Sequence, residues 1–429
     1  MHLSLLPALL LAVQNHPPLD SATVTRVLAQ LRTSDSTICA LAGEALTNYG
    51  GFWGWNQSDP GMPMPHPMPT PMPMPGGGGG PGIHVEMYEK SRAIDPSVVR
   101  AFRAAIRDDN RCVRNIAARV LGNHGGSESY DLFLGLLRDQ RSDLRETGAL
   151  GLGELEDSRA ITPLSNALSG DDSPAVRMTA AWALGQLEEK TTIDALVKAL
   201  GDRASEVRRT AAWALGEIED VRAVRPLSVA LNDPSLDVRL AAVWGLGEIE
   251  DVSAVPLLTG ATKDREPKVR QAAAWALGEI ESPQAIPALT PLVRDQDIGV
   301  RKTAVWALGE IEDRSAVTPL AVGLKDSDPD VRVLAAWALG EIEDESAVEP
   351  LVTALKDNDI DVRATAAWAL GEIESPRARE GLTAAQRDES GAVRHAATWA
   401  LRQINDDNDT DVDVHPHVHV RVPRVRVKP

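Results

Sequence analysis

The stretch Glu206-Val207-Arg208-Arg209-Thr210-Ala211-Ala212-Trp213-Ala214-Leu215-Gly216-Glu217-Ile218-Glu219-Asp220 recurs almost unchanged along this chain of 429 residues, and it determines the fold. When each residue advances about 100° around a helix, one side of the stretch becomes a continuous apolar stripe. That stripe contains Val207, Ala211, Ala214, Leu215 and Ile218. A second stripe follows Asp220 and contains Ala223, Val224, Leu227, Ala230 and Leu231. Each copy therefore predicts two amphipathic helices that form a hairpin.

The copies follow one another at a nearly constant spacing. The arginine of the Val-Arg pair recurs every 31 residues, with a single step of 32, at Arg114, Arg145, Arg177, Arg208, Arg239, Arg270, Arg301, Arg332, Arg363 and Arg394. A hairpin this small cannot bury its stripes alone, so neighbours must stack and share one elongated core. The expected fold is all-α: a right-handed α-solenoid of about eleven stacked helical hairpins, a superhelix of the HEAT-like or ARM-like type.

The repeat pattern Asp-x-x-Val-Arg, Ala-Leu-Gly-x-Ile and Ala-Val-x-Pro-Leu resembles the short HEAT-like repeats of the phycobilin lyase group, over roughly residues 92–405. In that family the Val-Arg helix lines the concave side, and a loop aspartate pairs with the arginine to connect successive units. The resemblance therefore implies structural ties that join Asp202, Asp233, Asp326 and Asp357 to Arg208, Arg239, Arg332 and Arg363. It indicates a fold and leaves the activity open, so bilin-lyase or other chromophore-handling activity is an alternative by analogy only.

Composition narrows the classes of partner. The formal net charge is −18, which disfavours nucleic acid and anionic membrane surfaces and favours basic or neutral partners. Cys39 and Cys112 lie in different units and show neither metal spacing nor a redox pair. No serine-nucleophile motif, phosphate-binding glycine loop or His-Glu pair on the repeat helices is visible, so we expect neither an enzyme nor a cofactor.

The ends of the chain differ from the repeats. Residues 1–18 contain an apolar run that suits a secretory signal peptide or an apolar cap, so the protein is expected to be extracytoplasmic (periplasmic or secreted) if the signal is real and cytoplasmic otherwise. Residues 19–49 are interpreted as a degenerate first repeat, and 91–405 as the repeat solenoid, one long domain. No segment reaches the length needed to span a membrane.

Two low-complexity segments complete the chain. Residues 50–90 form an insertion rich in Trp, Met, Pro and Gly, interpreted as a disordered spacer; its methionines and His66 offer soft-metal ligands as a weaker alternative, and Trp53 with Trp55 offers a docking loop. Residues 406–429 form an acidic and then basic tail, interpreted as disordered. The alternative is that its cationic side chains occupy the protein's own acidic groove, and a metal site at His415, His417 and His419 is a weaker one.

The candidate site is a ladder of tryptophans with a glutamate one helical turn further along. In the helical projection Trp213 lies about 150° from the centre of its apolar stripe, so we expect an exposed aromatic and acidic strip. Such a strip suits cationic side chains and predicts a non-catalytic scaffold that binds an extended, basic protein or peptide. Indoles that only pack between repeats, in a purely structural array, are the alternative. The strip comprises Trp182, Trp213, Glu217, Trp244, Glu248, Trp275, Glu279, Trp306, Glu310, Trp337, Glu341, Trp368, Glu372 and Trp399.

Overall fold

The structure is a computed structural model that describes residues 20–32, 95–126 and 128–405. Every regular element in these ranges is a helix, which confirms the all-α solenoid. The predicted N-terminal segment, the insertion and the acidic and basic tail lie outside the described residues. Of the expected degenerate repeat, the structure describes one helix, Ser21–Leu31; the next described helix, Pro96–Ala105, packs against it and against the helix that begins at Arg111.

The first helix of each repeat carries the Val-Arg pair and most of the core. Val, Ala and Leu at its stripe positions are buried, as Val300, Ala304 and Leu308 show with no solvent exposure at all. These helices span Arg111–His124, Ser142–Glu154, Pro174–Gln186, Ser205–Glu217, Leu236–Glu248, Pro267–Glu279, Ile298–Glu310, Pro329–Glu341, Ile360–Glu372 and Gly391–Gln403.

The second helix is shorter and usually follows a single turn of 3-10 helix. An Asp or Ser side chain caps most of these turns: the carboxylate of Asp313, for example, accepts the backbone N–H of Ser315 at 2.8 Å. The second helices span Glu128–Leu137, Ile161–Gly170, Ile193–Ala199, Val224–Ala230, Val255–Ala261, Ile286–Leu289, Val317–Gly323, Val348–Ala354 and Arg379–Ala385.

The chain divides into two compact units, and we describe each by itself. Unit 1 runs to Ile218 and unit 2 begins at Glu219. In both units the first helices of consecutive repeats pack directly against each other, and each second helix packs against the first helix that follows it. The first helices therefore form one continuous face of each unit.

Successive repeats are connected by ties between an arginine and an aspartate. The aspartate carboxylate in each tie binds a different arginine from the one that the resemblance had implied. Arg301 donates from Nε and Nη2 to the Asp326 carboxylate, at 2.8 and 3.0 Å, across 25 residues. Its Nη1 donates to the Asp295 carbonyl oxygen, six residues back, at 3.1 Å. The resemblance had implied a bond between each Asp and the Arg six residues later. That Arg in fact binds the backbone of the Asp, while the carboxylate binds the preceding repeat's Arg.

The same arrangement recurs at the other tie residues. Arg239 binds the Asp233 carbonyl and the Asp264 carboxylate, Arg332 binds the Asp326 carbonyl and the Asp357 carboxylate, and Arg363 binds the Asp357 carbonyl and the Asp388 carboxylate. In unit 1 Asp202 gives its carboxylate to Arg177 and its carbonyl to Arg208. Burial alone would raise the pKa of Asp326, but the hydrogen bonds and charge of Arg301 outweigh it and hold that pKa below its ordinary value.

Three further observations concern the described residues only. Cys112 is disulfide-bonded, a pairing that the sequence analysis did not anticipate. No helix in these ranges is long and apolar enough to cross a membrane. The same ranges contain no group of three or more His, Cys, Asp or Glu side chains arranged to hold a metal ion.

Candidate functional site

The tryptophans are largely buried, so the expectation of an exposed aromatic strip is wrong. Trp337 is 7% exposed and Trp213 is 5% exposed, and the burial of Trp182, Trp244 and Trp399 is similar. Trp275, Trp306 and Trp368 are half-buried. The projection placed each indole correctly on the side away from its own core, but the preceding repeat covers that side.

A glycine of the preceding first helix provides the space for seven of the eight indoles of the ladder. A methyl group added at Gly278 would lie 2.9 Å from Cζ3 of Trp306 and 2.9 Å from Cβ of Ala307, closer than carbon atoms normally approach. The same contact joins Gly153 to Trp182, Gly185 to Trp213, Gly247 to Trp275, Gly309 to Trp337, Gly340 to Trp368 and Gly371 to Trp399. The indoles therefore hold consecutive first helices together, as the packing alternative proposed.

The sequence contained a signal for this contact. The glycine is kept in each repeat that another tryptophan follows, and it becomes Arg402 in the last first helix, which no tryptophan follows. Arg402 is exposed. Comparing the two columns one repeat apart, instead of within one helix, would have predicted the contact.

In most of these repeats a glutamate four positions after the tryptophan is the last residue of the first helix. Within unit 2 these residues form what we call the helix-end row: Glu248, Glu279, Glu310, Glu341 and Glu372. All are half-buried. The indole N–H groups of Trp275 and Trp306 interact favourably with the carboxylates of Glu279 and Glu310 and act to lower the pKa of each. The position of the helix-end glutamates is unfavourable for a carboxylate, because a helix carries partial negative charge at its C-terminus.

Burial and mutual repulsion shift the ionisation of this row. Burial, followed by the charges of Glu248 and Glu250, raises the pKa of Glu279 to about 7. Burial and the charges of Glu279 and Glu281 raise the pKa of Glu310 to about 7. Burial and the charge of Glu372 do the same for Glu341, also to about 7. Glu279, Glu310 and Glu341 therefore gain their negative charge near neutral pH.

A second carboxylate lies two residues after each helix end. Within unit 2 these residues form the αL row: Glu250, Glu281, Glu312, Glu343 and Glu374, together with Glu219 at the start of the unit. Their φ values lie between 48° and 53°, and all are exposed. Glycine or asparagine usually occupies this left-handed position, and another residue there costs roughly 1 kcal/mol.

Helix-end carboxylates follow one another without interruption in unit 2, whereas the αL position holds glutamate in unit 1 as well, at Glu156 and Glu188. In unit 1 the equivalent of the helix-end row holds Gln186, which is uncharged, and Glu154, whose Oε1 lies 3.4 Å from Nε of Arg119. At the end of unit 2 the row gives way to Gln403. Glu217, the last residue of the final first helix in unit 1, is half-buried.

Comparison with known proteins gives a family and a fold. The family model described as HEAT repeats matches eight overlapping segments, namely residues 99–168, 134–212, 161–235, 193–268, 224–308, 256–324, 289–359 and 317–402. No curated protein sequence matches the chain.

Solved structures agree with this assignment at low sequence identity. A crystal structure of importin beta superposes with a TM-score of 0.58 and 16% identity, over 90% of this chain and 57% of that one, so the chain spans less than two thirds of importin beta. An engineered protein matches at 24% identity and a TM-score of 0.44, over 72% of this chain and 98% of the other. The complex of CpcE and CpcF of phycocyanin lyase from Nostoc sp. PCC7120 matches at 23% identity and a TM-score of 0.34, over 52% of this chain and 92% of that one. At these identities the likeness concerns the fold alone.

Proposed function

The chain belongs to the HEAT-repeat family, and from that premise we propose that unit 2 is a non-catalytic scaffold that binds an extended basic segment of a protein along the helix-end row and the αL row. One observation carries the proposal: unit 2 repeats carboxylates at positions where folding disfavours them. Residues held at a cost to the fold are concentrated at functional sites. Cationic side chains of a partner would relieve the repulsion within both rows.

Three features of these rows cost stability: the burial of charge, the negative charge at a helix end, and a strained backbone. The helix-end carboxylates are half-buried and lie at the negative ends of helices, while the αL carboxylates are exposed but require a strained backbone. A neutral residue at the helix end would avoid the costs of burial and of the helix dipole, and the array itself uses Gln186 and Gln403 at two helix ends. The charge of the helix-end row is therefore not a requirement of the fold.

The indoles support this proposal differently from what the sequence suggested. Because they are largely buried, they do not form a broad apolar surface for a ligand. The Trp275 and Trp306 N–H groups instead orient the carboxylates of Glu279 and Glu310. In this proposal the binding groups are the carboxylates, and the tryptophans position them.

Spacing suggests the form of the partner. Stacked helices lie about 8–10 Å apart, and three residues of a polyproline-type or extended chain span about 9–10 Å. One basic residue in every three would therefore meet one repeat each. The five repeats from Glu248 to Glu372 would accommodate about 10–13 residues of such a chain.

The negative surface also argues against other partners. Nucleic acid would be repelled by the net charge of −18, as would an anionic membrane. The basic C-terminal tail, with Arg421, Arg424 and Arg426, is a possible ligand from the protein itself. Whether the protein is secreted depends on the first 18 residues and remains a prediction.

The experiment uses a fluorescein-labelled peptide of about 15 residues with lysine at every third position. Fluorescence anisotropy at pH 7.5 should show binding to the full chain that weakens as salt rises. Replacing Glu279, Glu310, Glu341 and Glu372 by Gln should weaken binding at least tenfold. The matched control replaces four exposed glutamates outside both rows by Gln, with the same change of charge: Glu345, Glu349, Glu380 and Glu389.

The control separates a specific groove from general attraction. Equal losses in both variants would show that net charge alone attracts the peptide, and would contradict the proposal. A second peptide, with the same lysines clustered at one end, should bind more weakly if the spacing argument is correct.

A further inference from the structure

One column of the first helices differs in every repeat. The residue that follows the Val-Arg pair is Met178, Arg209, Leu240, Gln271, Lys302, Val333, Ala364 and His395 in eight successive copies, so eight copies hold eight residue types. We call these positions the variable column. Their surroundings are nearly constant: in the same eight copies Val, Arg and Trp at the third, fourth and ninth helix positions never change.

The variable column lies beside the proposed binding rows. Each of its residues precedes a ladder tryptophan by four positions, which places the two on the same helix face one turn apart. The glutamate of the helix-end row follows the tryptophan by four positions, so it lies one turn beyond the tryptophan, on the side away from the variable column. The column and the helix-end row are therefore about 12 Å apart along each helix, and a segment that lies between them, at the level of the tryptophans, would face both.

Two members of the column show which way their side chains extend. Lys302 donates from Nζ to Asp330 at 2.7 Å and lies 3.5 Å from Asp328, and Gln271 donates from Nε2 to the Thr303 hydroxyl at 3.2 Å. Both partners belong to the next repeat. The column therefore borders the seam between consecutive first helices.

Packing against the next repeat does not determine which residue occupies a position of the variable column. Lys302 is followed in the next repeat by Asp330, and Val333 is followed at the equivalent position by Asp361. The two positions thus precede the same residue type but hold a cation in one case and an aliphatic side chain in the other. Both are half-buried, so part of each remains accessible.

We infer that the half-buried members of the variable column in unit 2, Gln271, Lys302 and Val333, select the sequence of the bound segment. This inference rests on the proposed function of unit 2. The helix-end and αL rows supply the same attraction for basic residues in every repeat, and these three side chains distinguish the residues between them. Leu240 and Ala364 are buried, with 4% of each exposed, so the accessible part of the column offers an amide at Gln271, a cation at Lys302 and an aliphatic surface at Val333.

The order of these side chains predicts the residue types along the bound segment. The segment would carry an apolar side chain opposite Val333 and an acidic side chain opposite Lys302, where it would compete with Asp328 and Asp330. An acidic residue within a basic segment would also fix its register, because one repeat attracts it while the others repel it.

The test is a selection from displayed peptides of about 15 residues with arginine fixed at every third position and the others random. The full chain should enrich an acidic residue at one position and an apolar residue about three positions away from it. A double variant, Gln271→Lys with Lys302→Gln, exchanges two members of the column without changing composition or charge. It should move the acidic preference by one repeat, about three residues, relative to the apolar one.

A matched exchange outside the column, Gln296→Lys with Lys325→Gln, should leave the selected sequence unchanged, since both side chains are exposed away from the first-helix face. A single variant, Val333→Gln, serves if the double variant does not fold, and it should abolish the apolar preference. Retained binding with the same selected sequence in the column variants would overturn the inference alone. No binding of the arginine library to the natural chain would overturn the proposed function as well.

Discussion

Replacing Glu279 by Gln should stabilise the protein at pH 8 and leave its stability almost unchanged at pH 5. Glutamine has the same shape, and its side-chain oxygen can still interact with the Trp275 N–H, as the Glu279 carboxylate does. It lacks the charge that burial and the neighbouring glutamates oppose. A substitution within the proposed site therefore improves the fold, which distinguishes this account from a purely structural role for the carboxylate.

The magnitude follows from the shifted ionisation. The pKa of Glu279 rises from 4.5 to about 7, and one pKa unit corresponds to about 1.4 kcal/mol, so the upper limit is about 3 kcal/mol. Because Glu279 is half-buried and part of the shift depends on the charges of Glu248 and Glu250, solvent screening and coupling reduce this value. We expect a gain of about 1–2 kcal/mol at pH 8.

The sign of the pH dependence is fixed by the direction of the shift. The folded protein holds a proton on Glu279 between about pH 4.5 and pH 7, where the unfolded chain has released it. Stability therefore falls as pH rises through this window, and the charge penalty is complete above it. At pH 5 only a small part of this penalty has developed, so glutamine changes stability by less than about 0.5 kcal/mol.

Thermal unfolding followed by circular dichroism at both pH values provides the assay, with a direct titration of the Glu279 carboxyl by NMR. Glu380→Gln, at an exposed position outside both rows, serves as the control and should change stability by less than about 0.5 kcal/mol at either pH. A loss of stability in Glu279→Gln at pH 8, or the same change at both pH values, would refute the reasoning.

Three further predictions concern the whole array. Stability should be greatest on the acidic side of neutrality, because Glu279, Glu310 and Glu341 lose their charge as pH falls through about 7 while Asp295, Asp326 and Asp357, whose pKa values are lowered, keep theirs; a maximum above pH 7 in a series of melting curves would contradict this. Arg301→Ala should cost about 2–4 kcal/mol in chemical denaturation because it leaves the largely buried Asp326 without its partner, whereas Arg377→Ala in an exposed pair should cost less than about 1 kcal/mol; equal costs would show that the ties are unimportant. Gly278→Ala should destabilise by about 1–3 kcal/mol by displacing an indole, while Gly260→Ala, with open space around it, should be neutral or stabilising; a stabilised Gly278→Ala variant would disprove the glycine contact.

The sequence predicted the elements of the fold because each apolar stripe is local. Val207, Ala211 and Leu215 fall on one side of a helix whatever the neighbouring repeats do, and all three are fully buried. The constant spacing then required stacking, since a single hairpin cannot cover both stripes. Family and fold followed from these two facts.

The environment of the tryptophans could not be obtained from a single helix. A projection of Trp213 shows only that it faces away from its own stripe, and burial depends on what lies on that side. Gly185, one repeat earlier, leaves room for the indole. The direction in which a side chain leans between repeats is a property of the stack, so the exposed strip was wrong while the position of each residue was right.

The pairing of arginine with aspartate in the ties was also beyond what the local sequence could predict. Asp326 and Arg332 lie close in sequence, and a local pairing between them was the natural expectation. The carboxylate of Asp326 instead binds Arg301, 25 residues away, because the loop between repeats lies against the preceding first helix. The raised pKa values of the helix-end row were also not predictable from the sequence, since they depend on burial and on neighbours one repeat away.

The measurement that tests the central claim most directly is the anisotropy of the labelled tail peptide, residues 414–429, titrated with a chain that ends at Asn405. The account predicts saturable binding at pH 7.5 that weakens with salt and is lost when Glu279, Glu310, Glu341 and Glu372 become Gln, but persists in the variant with Gln at Glu345, Glu349, Glu380 and Glu389. The lysine-spaced peptide should behave in the same way. If neither peptide binds, or if both variants bind each peptide as tightly as the natural sequence does, the carboxylate rows are not a binding surface for basic segments.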